Sequence, residues 1–110
     1  MTRLLIRGAL ALAVLGSALS GALAQRDPAA RRGFVIVKTN CSRCHSIDKV
    51  SASPLKVAPP FRTLHQRYPI DSLAEALAEG IITGHPSMPE FKLDPGQITD
   101  VLTYLRTLEH

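Results

Sequence analysis

Two cysteines three positions apart, with a histidine directly behind the second, constrain this 110-residue chain more than any other feature: Cys41-Ser42-Arg43-Cys44-His45. No further cysteine exists to pair with either thiol. Whatever folds around this pentad must be small. Of the hydrophobic residues, 16 lie in the first 24 positions and 34 in the remaining 86. Those 86 carry 11 basic and 9 acidic side chains. Such a chain is too short for a multidomain enzyme, too polar after residue 24 for a polytopic membrane protein, and too evenly charged for a nucleic-acid binder. Three Phe, two Tyr and no Trp also leave it short of core material.

The apolar surplus at the start reads as an address. Arg3 and Arg7 precede an uncharged run from Gly8 to Gln25 that ends in Ala22-Leu23-Ala24. This is the pattern of a secretory signal peptide over residues 1–24, cleaved after Ala24. The rival reading is an uncleaved anchor, because 18 uncharged residues can span a bilayer. Gly16, Ser17, Ser20 and Gly21 dilute the second half of the run and favour cleavage. The mature chain is expected to be residues 25–110, outside the cytoplasm.

Two cysteines in a secreted domain ordinarily suggest a disulfide. A thioredoxin-type pair uses C-x-x-C inside a βαβ unit, and no such pattern is visible. A zinc site would draw on His65, His85 and carboxylates, which lack zinc-like spacing. C-x-x-C-H is instead the signature of covalent c-type haem attachment. Thiols one helical turn apart can add to two vinyl groups on one porphyrin edge, and the histidine is then held under the iron.

A haem carrier of electrons needs a sixth iron ligand, and a thioether raises the potential relative to a second imidazole. Met88 is the sole methionine after Met1. It lies in Gly84-His85-Pro86-Ser87-Met88-Pro89-Glu90-Phe91, where prolines on both sides stiffen the loop. Its bland reading is gap-filling core. His85 and His65 are the alternative ligands; a slip of the loop that brought in His85 would give a low-potential bis-histidine site, whereas His65 reads as a partly exposed residue of a short helical turn.

The remaining elements read as helices joined by proline-marked loops. Asp27-Pro28 is an N-cap followed by proline at the first helical position, predicting a helix to about Asn40. Phe34-Val35-Ile36-Val37 alone would suit a strand. Residues 46–62 are expected to be an irregular loop, with a short helical turn near Phe61–Gln66. Ser72-x-x-Glu75 predicts a capping box opening a helix that carries Leu73, Leu77 and Ile81 and stops near Gly84. Asp94-Pro95-x-Gln97 opens the last helix, with Ile98, Val101, Leu102, Leu105 and Leu108 as one stripe.

Cys41–His45, the prolines before Phe61, the Met88 loop and the Tyr104 helix together resemble a small bacterial class I c-type cytochrome, a monohaem cytochrome c. The resemblance spans nearly all of residues 25–110. It implies an all-α cytochrome c fold, three to four short helices around one covalently bound haem c. It also implies thioethers at Cys41 and Cys44 and axial iron ligation by His45 and Met88. In that family a first-helix glycine packs on a last-helix aromatic residue, here Gly33 and Tyr104. A proline carbonyl accepts from the proximal histidine Nδ1. Pro59 is the candidate and Pro60 the second, although Ala58 stands where a glycine often precedes. The family tryptophan is absent, leaving Tyr68 and Arg62 as candidate propionate partners.

The implied function is periplasmic electron transfer by cycling Fe(II) and Fe(III), not enzyme catalysis. Partners would be redox proteins such as a dehydrogenase, a cytochrome complex or a terminal oxidase. Nucleic acid is not expected, and a membrane only if the signal segment is retained. Two alternatives stay open: a tightly bound cytochrome subunit of a periplasmic dehydrogenase, and a peroxidase or gas sensor with a labile sixth ligand. Arg43, Lys49, Lys56, Arg62 and Arg67 could form a basic rim for an acidic partner, or simply a mixed solvated surface.

Overall fold

The structure, a computed structural model, describes residues 27–80, 88–90 and 92–110. The expected signal peptide, its cleavage point, Ile81, Gly84, His85 and Phe91 therefore lie outside the described residues. Three α-helices and two short 3₁₀ turns make up the described elements, with no strand among them. No helix among the described residues is long and apolar enough to cross a membrane.

Helix α1 spans Pro28–Asn40. Its start follows the expected chemistry: the Asp27 carboxylate accepts from the Ala29 N–H at 2.9 Å, and Pro28 occupies the first turn. The strand alternative fails on periodicity. Gly33 and Val37, four apart, are buried, whereas Phe34 and Val35 between them are exposed.

The 3₁₀ turn Phe61–Gln66 falls where a short helical turn was expected, and it ends the irregular loop at Pro60. A second 3₁₀ turn, Ile70–Ser72, leads into α2, Leu73–Glu79. Here the expectation of a capping box at Ser72 and Glu75 is wrong. Ser72 already has helical dihedrals and makes no side-chain cap, and its N–H donates to the Pro69 carbonyl at 3.0 Å. The turn begun at Pro69 has moved the first helical hydrogen bond upstream, so the donor that Glu75 would satisfy is already used. The expected end near Gly84 is also wrong. Helix α2 stops at Glu79, because Gly80 turns to φ +104°, a left-handed conformation that glycine adopts without a Cβ penalty.

Helix α3, Pro95–Arg106, carries the complete capping box. Asp94 Oδ1 accepts from the Gln97 N–H at 2.8 Å, and the Asp94 N–H donates to Gln97 Oε1 at 3.0 Å. Its stripe of Ile98, Val101, Leu102 and Leu105 is buried throughout and, with Leu108 just past the helix end, joins Val37, Leu64, Ile70 and Leu77 in one core.

Helices α1 and α3 form the principal packing interface. They cross at Gly33, where a Cβ would lie 2.0 Å from the Asp100 carbonyl oxygen and 2.9 Å from Tyr104 Cβ. The crossing is therefore closed by the absence of a side chain, as expected for Gly33 and Tyr104. Beside it Arg32 grips the Asp100 carboxylate with two parallel bonds, Nε to Oδ2 at 2.7 Å and Nη2 to Oδ1 at 2.8 Å. The Tyr104 ring meets Phe34 edge-on at 5.5 Å between centroids.

Candidate haem site

The C-x-x-C-H pentad begins where α1 ends. The Cys41 N–H closes the helix on the Val37 carbonyl at 2.8 Å. The N–H groups of Cys44 and His45 then both donate to the Cys41 carbonyl, at 3.2 and 3.0 Å. The chain so makes one tight turn, which carries both cysteines and brings the histidine immediately after. Both thiols are free and half-buried. Burial pushes the Cys41 thiol up to about 11, since a thiolate there would lose its hydration.

His45 is held from two sides. Its Nδ1 lies 2.8 Å from the Pro59 carbonyl oxygen. A carbonyl can only accept, so the neutral ring carries its proton on Nδ1 and leaves Nε2 with a free lone pair. The ring also lies against Phe61, with centroids 4.8 Å apart and planes tilted by 39°. Pro60, the second candidate acceptor, is occupied elsewhere: its carbonyl receives the Thr63 N–H at 3.0 Å and the Thr63 hydroxyl at 2.8 Å.

An apolar cavity opens beside the turn. Cys41 and Met88 share its lining with Phe61, Leu64, Leu77 and Leu105. Cys44 and His45 are not wall residues; His45 meets the wall through the Phe61 ring. Tyr68 lines the same cavity, whereas His65 does not. The Nδ1 atom of His65 is buried without a hydrogen-bond partner among the described residues. Arg62 turns to Ser46 and Ser51.

The donor set fits a covalently held haem. Two unbonded thiols share one turn, an adjacent imidazole has its tautomer fixed and Nε2 free, and a thioether stands on an apolar wall. Around this set the loop after His45 is pinned by groups that sequence reasoning left unassigned. The Asp48 carboxylate accepts from the Val50 and Ser51 N–H groups at 2.8 and 2.6 Å and from the Ser51 hydroxyl. These bonds hold Asp48 down at about 2, Ser51 contributing most. Asp48-x-x-Ser51 is a legible local turn signal, but the convergence of Ser46 and Arg62 on it comes from the fold. Val50 within this turn and Val57 beyond it stand exposed next to Lys49 and Lys56.

Comparison with known proteins agrees with the geometry. The model of the family described as Cytochrome c matches residues 30–109. Cytochrome c-552 of Bradyrhizobium diazoefficiens is 30% identical over 103 residues, covering 94% of both chains. A cytochrome c-553-like protein of Synechocystis sp. is 30% identical over 79 residues, 72% of this chain and 69% of its own. No solved structure matches the chain significantly. The chain belongs to the cytochrome c family. Its cofactor is covalently bound haem c, and it is an electron-transfer haem protein of the small class I type.

Proposed function

We propose that the chain is a periplasmic electron carrier whose single haem is joined through Cys41 and Cys44 and ligated by His45 and Met88. The hydrogen bond from His45 Nδ1 to the Pro59 carbonyl carries this reading. It orients the ring, fixes the tautomer and increases the basicity of Nε2. When bound, the haem supplies a one-electron Fe(II)/Fe(III) couple.

The chain contributes the rest. Cys41 and Cys44 would hold the haem by addition of each S–H across one vinyl group, a step that releases no atom and would leave no charge in a buried place. His45 and Met88 would hold the iron from the protein side, so no substrate would need to coordinate it and the activity would be transfer, not catalysis. Leu64, Leu77 and Leu105 keep water from the cavity.

Residues 1–24 are proposed as the signal peptide and 25–110 as the haem domain. The partner is a redox protein with an acidic docking face, such as a dehydrogenase, a cytochrome complex or a terminal oxidase. The Lys49–Val50 and Lys56–Val57 pairs support this assignment, because each sets an exposed apolar tip beside a cation. The same exposed valines favour a second reading, a subunit bound permanently to such a partner. The size of the native species in periplasmic extract separates the two: a free carrier elutes near the mass of the domain.

Reduced-minus-oxidised spectra and a haem stain on a denaturing gel test the core of the proposal. Purified periplasmic protein should begin at Gln25. Cys41→Ser/Cys44→Ser should lose all haem that resists acid–acetone extraction, and Met88→Ala should lose the Met–Fe(III) charge-transfer band. Covalent haem in the double variant, or an unchanged band in Met88→Ala, overturns the corresponding assignment.

A further inference from the structure

We propose that Arg62, acting through Ser46 and Ser51, is a positioning residue for the axial histidine. This inference rests on the reading of His45 as the iron ligand.

Ser46 follows His45 directly and is 3% exposed, the most buried polar residue described. Each of its polar groups is engaged. Its N–H donates to Ser53 Oγ at 3.0 Å, and its carbonyl accepts the Phe61 N–H at 2.9 Å. Its hydroxyl oxygen lies 3.1 Å from Ser51 Oγ and accepts from Arg62 Nη1 at 3.2 Å. The same Nη1 donates to the Ser51 carbonyl at 2.6 Å.

The proton count gives this cluster a direction. A hydroxyl has one proton to donate. Ser51 commits its proton to the Asp48 carboxylate, so the hydrogen bond between the two serines must use the proton of Ser46. The chain then runs from the Arg62 guanidinium to Ser46, to Ser51, to Asp48, with a cation at the donor end and an anion at the acceptor end. Bonds in such a series polarise one another and strengthen together.

The cluster reaches His45 through two short segments laid side by side. Residues 45–46 and 59–62 are joined by three hydrogen bonds: the His45 ring to the Pro59 carbonyl, the Phe61 N–H to the Ser46 carbonyl, and Arg62 to the Ser46 hydroxyl. Arg62 makes the outermost of the three. Phe61, between Arg62 and the prolines, also supplies the ring that sets the tilt of the imidazole. Both contacts that orient the His45 ring thus come from the segment that Arg62 ties to Ser46. A guanidinium that merely braced the surface would not need to meet the residue adjacent to the ligand.

Hydrogen exchange at the His45 ring N–H, measured by NMR on the reduced ¹⁵N-labelled holoprotein, tests the proposal. The backbone N–H of Leu105 in α3 serves as the reporter of global opening. Arg62→Met and Ser46→Ala should each speed exchange at the ring about tenfold beyond any change at Leu105, the loss of one hydrogen bond's worth of protection. Combining them should be no faster than Arg62→Met alone, since each acts through the other. Arg62→Lys keeps a cation and should recover most of the protection. Arg106→Met, which removes an exposed ion pair with Asp71, should leave the ring N–H unchanged relative to Leu105. If Arg62→Met speeds the ring and Leu105 equally, Arg62 only stabilises the fold and the positioning role is overturned. If the wild-type His45 ring protons lack the strong upfield shift of an iron-bound imidazole, the ligand reading itself falls, and the proposal with it.

Discussion

The hydroxyl of Tyr104 donates to the carbonyl of Ile47 at 2.6 Å, joining the last helix to the loop two residues beyond His45. The bond crosses the domain at the place where α3 leans on Gly33 of α1. One side chain therefore does two jobs. Its Cβ closes the helix crossing, and its hydroxyl holds the start of the loop that carries Asp48 and Ser51.

Tyr104→Phe isolates the second job, because the ring and its edge-on contact with Phe34 survive. The lost hydrogen bond should cost about 1 kcal/mol in urea unfolding of the holoprotein. The effect should also depend on pH. Burial, assisted by the nearby Asp48 charge, raises the Tyr104 phenol above its ordinary value of 10.0. Its contribution is complete below pH 10 and is lost as pH rises through the higher folded value. The wild type should therefore lose more stability above pH 10 than Tyr104→Phe does, and equal alkaline slopes would contradict this assignment.

Gly33→Ala sets two effects against each other. Alanine is the better helix former by about 1 kcal/mol. Its Cβ would sit 2.0 Å from the backbone oxygen of Asp100, which cannot rotate away. Separating two packed helices costs about 3 kcal/mol, so the clash wins and a net loss of about 2 kcal/mol is expected by difference. Gln97→Ala serves as a contrast: it removes a capping contact on exposed α3 surface and should cost about 1 kcal/mol.

The Arg32–Asp100 pair predicts the acid side. Hydrogen bonds from Arg32 hold the Asp100 carboxyl below its ordinary 3.8. A depressed carboxyl stabilises the fold above its unfolded value and releases that stability as pH falls through the folded one. Between pH 7 and 5 the urea midpoints of the wild type and Asp100→Asn should differ by a constant amount. Below pH 4 the gap should narrow as the wild-type carboxylate takes up its proton. A gap that stays constant to pH 2 would mean that the pair does not report on folding.

Much of this was legible in the sequence, for identifiable reasons. Asp27-Pro28 and Asp94-Pro95-x-Gln97 act within four residues, so local chemistry alone sets both helix starts. The heptad-like stripe of α3 names its own buried face. Ser72 misled because the same local rule was pre-empted by a turn starting at Pro69. Cys41, Cys44 and His45 form a contiguous motif and could be read directly. Pro59 could be named only by resemblance, and the structure separates it from Pro60 by where each carbonyl points. Arg62 meeting Ser46, 16 positions away, left no trace in local pattern. Such pairings exist only once the chain has folded.

That separation of Pro59 from Pro60 yields a prediction opposite to the obvious one. The bond to His45 uses the Pro59 carbonyl, a group that every residue possesses. The direction of that carbonyl depends on ψ of residue 59, which is restricted by the ring of the following proline. Pro60 thus acts as the steric guide and Pro59 as the acceptor. Pro59→Ala keeps the carbonyl and the guide, and it should leave the midpoint potential nearly unchanged. Pro60→Ala keeps the acceptor but frees its ψ, loosening the hydrogen bond and lowering the basicity of the His45 imidazole, the proposed iron ligand. Ferric iron gains more than ferrous from a basic ligand, so the potential should rise, on the order of 40 mV if one hydrogen bond's worth of preference is lost. Protein-film voltammetry of the two variants decides the matter. A larger shift in Pro59→Ala than in Pro60→Ala would show that the proline ring at 59 itself, and not the guide behind it, sets the His45 ring.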